Sequence, residues 1–129
     1  MGIESALYTH LTTDAGLAAV ISTRVYPLAL PQQPTLPAVT YQRISTVAIN
    51  HRGSPEPKFS QIRMQCDCWA ASYDSMVTAR AALRAAMGTL AQASSPRIAV
   101  ALLADDQETF DPSPARWRAT LDYHIWSEE

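Results

Sequence analysis

Apolar and polar residues alternate through Gln61-Ile62-Arg63-Met64-Gln65-Cys66-Asp67-Cys68. Residues 62, 64, 66 and 68 are apolar, while 63, 65 and 67 are polar or charged. A two-residue period is that of a strand with one buried and one wet face. The strand runs through Trp69-Ala70-Ala71-Ser72-Tyr73-Asp74 into a different pattern. Met76, Ala79, Leu83, Met87 and Leu90 then recur at steps of three, four and seven. That is the stripe of a core-facing helix. Ser72 or Asp74 caps it, and the helix is expected to run to about Ala91 or Ala93.

The same test reads the remaining elements. Ile3, Leu7 and Leu11 stack at four-residue steps, so Gly2 to Thr12 is a helix. Thr13 or Asp14 can cap a second short helical turn, with Leu17, Val20 and Ile21 facing inward. Arg24-Val25-Tyr26 is a short strand ended by Pro27. Pro31, Pro34 and Pro37 then forbid helix and space an extended, stiff connector. Ala38 to Val47 is the next strand. Ala48 to Phe59 is rich in turn formers (Asn50, Gly53, Ser54, Pro55, Pro57) and forms a longer loop than most hairpins need.

Arg97 to Leu103 is predicted as a strand, and Ala104 to Pro114 as an acidic turn. Arg116 to Trp126 is the last strand. Trp117, Ala119, Leu121, Tyr123 and Ile125 share its apolar face, and Arg118, Thr120, Asp122 and His124 the other. The predicted order is α-β-β-β-α-β-β. Neighbouring strands joined by short connections are expected to pair antiparallel. The fold class is therefore α+β: one mostly antiparallel sheet with helices packed on one face, in a single domain over residues 1–129.

The chain has 129 residues, of which 47% are hydrophobic and 17% charged, a composition with enough apolar surface for one real core. The net charge of −2 argues against affinity built on phosphate neutralisation. No apolar run approaches the roughly 18–20 residues of a membrane span. The N-terminus lacks a secretory layout, and Ser5 lies one place early for myristoylation. These features lead us to expect a soluble, unprocessed protein made in the cytoplasm.

The residues of chemistry do not converge. His10 sits on a predicted helix, His51 in the long loop and His124 on a wet strand face, without metal-ligand spacing. Cys66 and Cys68 point to one face about 7 Å apart, too far for an undistorted disulfide, and read as small buried apolar residues. No serine occupies a Gly-x-Ser-x-Gly elbow, and four glycines build no phosphate loop. Asp105, Asp106, Glu108 and Asp111 lack the central glycine of a calcium loop. No catalytic residue, cofactor or metal is assigned. Trp69 falls on the polar face of its strand, which marks it as a candidate partner surface.

In order and spacing the chain resembles the tail completion, or tail terminator, proteins of long-tailed bacteriophages, prophages and gene-transfer particles. The resemblance rests on Arg24-Val25-Tyr26-Pro27, Leu36-Pro37-Ala38-Val39-Thr40-Tyr41, the Trp69-to-Asp74 corner with its long helix, and Leu121-Asp122-Tyr123-His124-Ile125-Trp126. It implies a structural, non-enzymatic protein that caps the head-proximal end of the tail tube and stops its polymerisation. It further implies a ring, commonly a hexamer, with tail tube protein on one side and a head-tail connector or stopper on the other. DNA would pass through without specific binding. The expected places are the virion's head-tail interface and, during assembly, the host cytoplasm.

A ring needs two different patches on each subunit. The 48–59 loop is expected to be one arm, with His51, Arg52 and Lys58 as its charged or polar contacts. Trp69 and Tyr73, at the strand-to-helix corner, are the second candidate. Two rival readings are a neighbouring head-closure or minor tail protein and a small α+β enzyme or ligand-binding domain.

Overall fold

The computed structural model describes residues 2–49, 59–90, 98–112 and 115–128. Helix α1 spans Ile3–Thr13 and turns Ile3, Leu7 and Leu11 into the core. Asp14 ends it and caps α2 (Ala15–Ile21), its Oδ2 accepting a bond from the Leu17 amide at 3.0 Å. Leu17 and Ile21 are fully buried, and Val20 packs against the same core.

β1 (Val25–Pro27) lies parallel to β2 (Ala38–Ile49), with Val25 opposite Val39. This departs from the antiparallel rule expected for close neighbours. Residues 28–37, stiffened by three prolines, carry the chain back to the start of β1, so β2 sets out in the same direction. Arg24 fixes the return, its Nε donating to the Pro37 carbonyl at 2.9 Å.

β2 pairs antiparallel with β3 (Phe59–Ala70), from Ala38 opposite Trp69 to Ile49 opposite Phe59, with a bulge between Arg43 and Ser45. α3 (Tyr73–Met87) follows at once. β4 (Ile98–Pro112) and β5 (Ala115–Glu128) complete the sheet, whose order is β1-β2-β3-β5-β4. The class is α+β, and every strand pairing other than β1–β2 is antiparallel.

Ile62, Met64, Cys66 and Cys68 of β3 and Ala119, Leu121, Tyr123 and Ile125 of β5 face the helices and are buried. Met76, Ala79, Leu83, Met87 and Leu90 meet them from the α3 side and are equally buried. Each fully buried large side chain contributes about 1.5–3 kcal/mol relative to exposure. No helix among the described residues is long and apolar enough to cross a membrane.

β2 runs two residues past the expected Val47, to Ile49, β3 takes in Phe59, and β5 runs to Glu128, two past Trp126. Two further boundaries differ more. α3 stops at Met87 and not near residue 91, because Gly88 is a poor helix former. Thr89 then closes the end, its amide and hydroxyl both donating to the Ala86 carbonyl at 3.2 and 3.0 Å. The acidic stretch from Ala104 to Pro112 is the second half of β4 and not a turn.

At the other end of α3 the Ser72 hydroxyl accepts from the Ser75 amide at 3.2 Å. Ser72→Ala is expected to cost about 1 kcal/mol and Ser72→Gly only a few tenths. Urea unfolding of the two variants beside the parent checks this. No loss in either variant would show that the side-chain cap contributes nothing.

Candidate assembly surfaces

Strand alternation that buries one sheet face exposes the other. Gln61, Arg63, Gln65, Asp67 and Trp69 of β3 lie beside Trp126, His124, Asp122, Thr120 and Arg118 of β5 in register. This face is tied together by side chains. Gln61 Nε2 is 2.7 Å from His124 Nδ1, Arg63 donates to Asp122 at 3.1 Å, and Gln65 donates to Asp67 at 3.2 Å. Asp67 and Asp122 are buried beneath their neighbours, each with its Oδ1 lacking a hydrogen-bond partner.

Trp69 sits on this polar face, where its sequence register puts it. Its indole N–H donates to the Thr40 hydroxyl at 2.9 Å, and the Arg118 guanidinium lies 5.0 Å from the ring centroid. The ring is half-buried, with this cation over its face.

Tyr73 begins α3 on the opposite side of the sheet. Its ring meets Trp117 edge-on at 5.4 Å, and its hydroxyl donates to Glu108 at 3.2 Å. The reason is local: Trp69 pairs with Arg118 but Ala70 with Trp117, so adjacent residues address opposite faces. The structure therefore does not bring Trp69 and Tyr73 onto one patch. His51, Arg52 and Lys58 lie outside the described residues; the strands that flank them end at Ile49 and begin at Phe59.

A charged cluster that sequence reading missed joins α3 to β4. Arg80 reaches Glu108 at 2.6 Å and Asp106 at 3.6 Å, and Arg84 reaches Asp106 at 3.8 Å. Burial alone would lower the Arg80 pKa, but the Glu108 hydrogen bond and the Asp106 charge outweigh it and raise it. The signal was present as two spacings. Arg80 and Arg84 are one helical turn apart, and Asp106 and Glu108 share one strand face. Nothing local links the two pairs.

Cys66 and Cys68 are free and buried. Burial pushes the Cys66 thiol up to about 12, and Cys68 is raised further by burial and by its neighbour. Such thiols are poor nucleophiles. His10 is also occupied, its Nε2 2.7 Å from the Ala86 carbonyl, which ties α1 to the end of α3. Among the described residues no group of three His, Cys, Asp or Glu side chains is placed to hold a metal ion. A surface cleft of about 270 Å³ is lined by Glu4, Pro27, Leu28, Tyr41, Gln42 and Arg43. Its charged members are already paired, Arg43 to Glu4 at 2.7 Å.

A protein-family profile, Tail completion protein gp17, matches residues 5–128. The chain belongs to this family. Tail completion proteins are structural components of phage tails, not an enzyme family. Among solved structures, a chain in the virion of a native gene transfer agent particle aligns with a TM-score of 0.72. The two are 19% identical, and the alignment covers 98% of this chain and 95% of that one. At that identity the likeness shows that this tail completion protein and the virion chain share a fold. No curated protein matches.

Proposed function

We propose that this tail completion protein closes the head-proximal end of a tail tube as a ring, stops tube growth and offers part of the surface that joins the head. The family match across residues 5–128 carries the reading. The fold shared with a chain of a gene transfer agent virion supports it. So does the shape of the sheet, which ends in two unlike edges. A ring of identical subunits needs heterologous contacts, in which two different surfaces of each copy meet.

The partners are further copies of the chain, tail tube protein below and a head-tail connector or stopper above. Arg52, His51 and Lys58, between β2 and β3, are proposed as tube or neighbour contacts. Trp69 is proposed as a contact on the polar face and Tyr73 on the helix face. DNA would pass through the ring without being gripped, since a chain of net charge −2 offers little overall attraction to phosphate.

Mass in solution across a wide concentration range, by light scattering coupled to size exclusion, tests this with and without purified tail tubes. A ring of about six subunits is expected, or binding confined to one tube end. Arg52→Glu and Trp69→Ala are each expected to weaken ring or tube binding at least tenfold while leaving the unfolding transition cooperative. A strict monomer that ignores tubes would sink the reading.

A further inference from the structure

Both edges of the sheet carry long stretches without a partner strand among the described residues. β1 covers β2 only from Val39 to Tyr41. Beyond it, Ile44, Ser45, Thr46, Val47 and Ala48 are all exposed, so neither face of that strand end is covered. At the far side β4 pairs with β5 alone, and among the described residues no strand lies along its outer side from Ile98 to Pro112. An open strand edge is a template for another strand.

We propose that these two edges pair with each other between copies: β4 of one subunit adds to β2 of the next, beyond Tyr41, so that the sheet continues around the ring. The inference rests on the ring reading above and names its contact.

Charge selects this pairing. The bulge-free part of β4, Asp105–Pro112, carries Asp105, Asp106, Glu108 and Asp111 and no basic residue. Two such strands meeting across a two-fold axis would set acid against acid, which is destabilising. Arg80 and Arg84 offset Asp106 and Glu108 from the helix side, but Asp105 and Asp111 lie on the opposite face. The open part of β2, Gln42–Ile49, contains one arginine, no acid and four β-branched residues, Ile44, Thr46, Val47 and Ile49. Such residues favour a strand environment. Pairing β2 with β2 would close a dimer and leave both β4 edges bare. The heterologous pair instead covers the open part of β2 and the acidic half of β4 in every subunit once the ring closes.

Direction follows from topology. β2, β3, β5 and β4 are linked by successive antiparallel pairings, so β2 and β4 run opposite ways. Rotation about a ring axis along the strands preserves those directions. The intermolecular pair is therefore antiparallel, and any two matched positions have a constant sum of residue numbers.

Cysteine pairs test this in the full chain. Ser45→Cys or Val47→Cys is combined with Asp105→Cys, Gln107→Cys or Thr109→Cys, all on the polar face. Oxidation at ring-forming concentration is expected to give a covalent ladder that stops at the ring's size. If 45 links to 109, then 47 must link to 107. The single variants should stay monomeric under denaturing conditions. As a check free of substitutions, amides of 44–48 and 105–111 in the unaltered protein should exchange at least tenfold more slowly after assembly. A ring by light scattering with neither ladder nor added protection would overturn this inference and leave the ring reading intact. Dimers from a single β4 cysteine would overturn it too. Absence of any ring, with or without tubes, would overturn both.

Discussion

Replacing Leu83 by alanine is expected to destabilise the protein by about 2–5 kcal/mol, the range for emptying a buried leucine site. Leu83 has no exposed surface and sits in the middle of the α3 stripe, between Ala79 and Met87. α3 lies across β3 and β5 and also against α2. The cavity would therefore open where both layers meet, and a helix held by tertiary contacts has little local means to collapse into it. Total stability of an ordinary domain is about 5–15 kcal/mol, so the loss is a large share. Urea unfolding should show a lower midpoint with an unchanged slope, because the same surface is exposed. Ala81, on the solvent side of the same helix, is the control, and Ala81→Gln should stay within about 0.5 kcal/mol of the parent. A loss below about 1 kcal/mol for Leu83→Ala would mean that α3 is not seated on the sheet as described.

That stripe was legible in the sequence because its physics is local. Each of the five apolar positions assigned to it is buried, and the alternation from Ile62 to Cys68 gives the buried face of β3. The Trp69 register was legible for the same reason. The acidic stretch was not. Aspartate and glutamate are poor strand formers, so Ala104 to Pro112 looks like a turn. What makes it strand is distant: β5 supplies the ladder, and Arg80 and Arg84 neutralise Asp106 and Glu108 from above. The parallel β1–β2 step escaped because it depends on where the proline connector leads, not on either strand. The Trp69 and Tyr73 pairing failed at the corner. One residue of strand separates the Trp69 face from the Ala70 face, and Tyr73 follows the latter. Compositional reading nominates candidate contact residues, but only register tells which of them share a surface.

Alkaline pH is expected to unfold the protein well before any peptide chemistry intervenes. Cys66 is fully buried, and burial, with help from the Asp67 and Asp122 charges, raises its thiol from an ordinary 9.0 to about 12. Cys68 is raised further by burial, Cys66 and Asp67, and the Tyr123 hydroxyl is raised mainly by burial. The unfolded chain has ordinary values for all three. Below pH about 8 both states hold the protons and stability is flat. Above pH about 9 the unfolded chain sheds protons that the native state keeps, so the unfolded state gains and stability falls with rising pH. Each thiol contributes a slope approaching roughly 1.4 kcal/mol per pH unit, and Tyr123 joins above pH about 10. By pH about 11 the summed loss is several kcal/mol, comparable to the whole stability of an ordinary domain. The urea midpoint, followed by tryptophan fluorescence from pH 8 to 11, should therefore fall steeply. Cys66→Ala with Cys68→Ala should lower the midpoint at pH 8 but flatten its descent, since only Tyr123 of the three would remain to titrate. A midpoint that holds to pH 11, or an unaltered descent in the double variant, would show that these groups are not sealed from water. Thiol labelling gives a second view of the same property. At pH 8 a thiol with a pKa of about 12 is thiolate in roughly one molecule in ten thousand, so native protein should resist disulfide reagents until urea opens it.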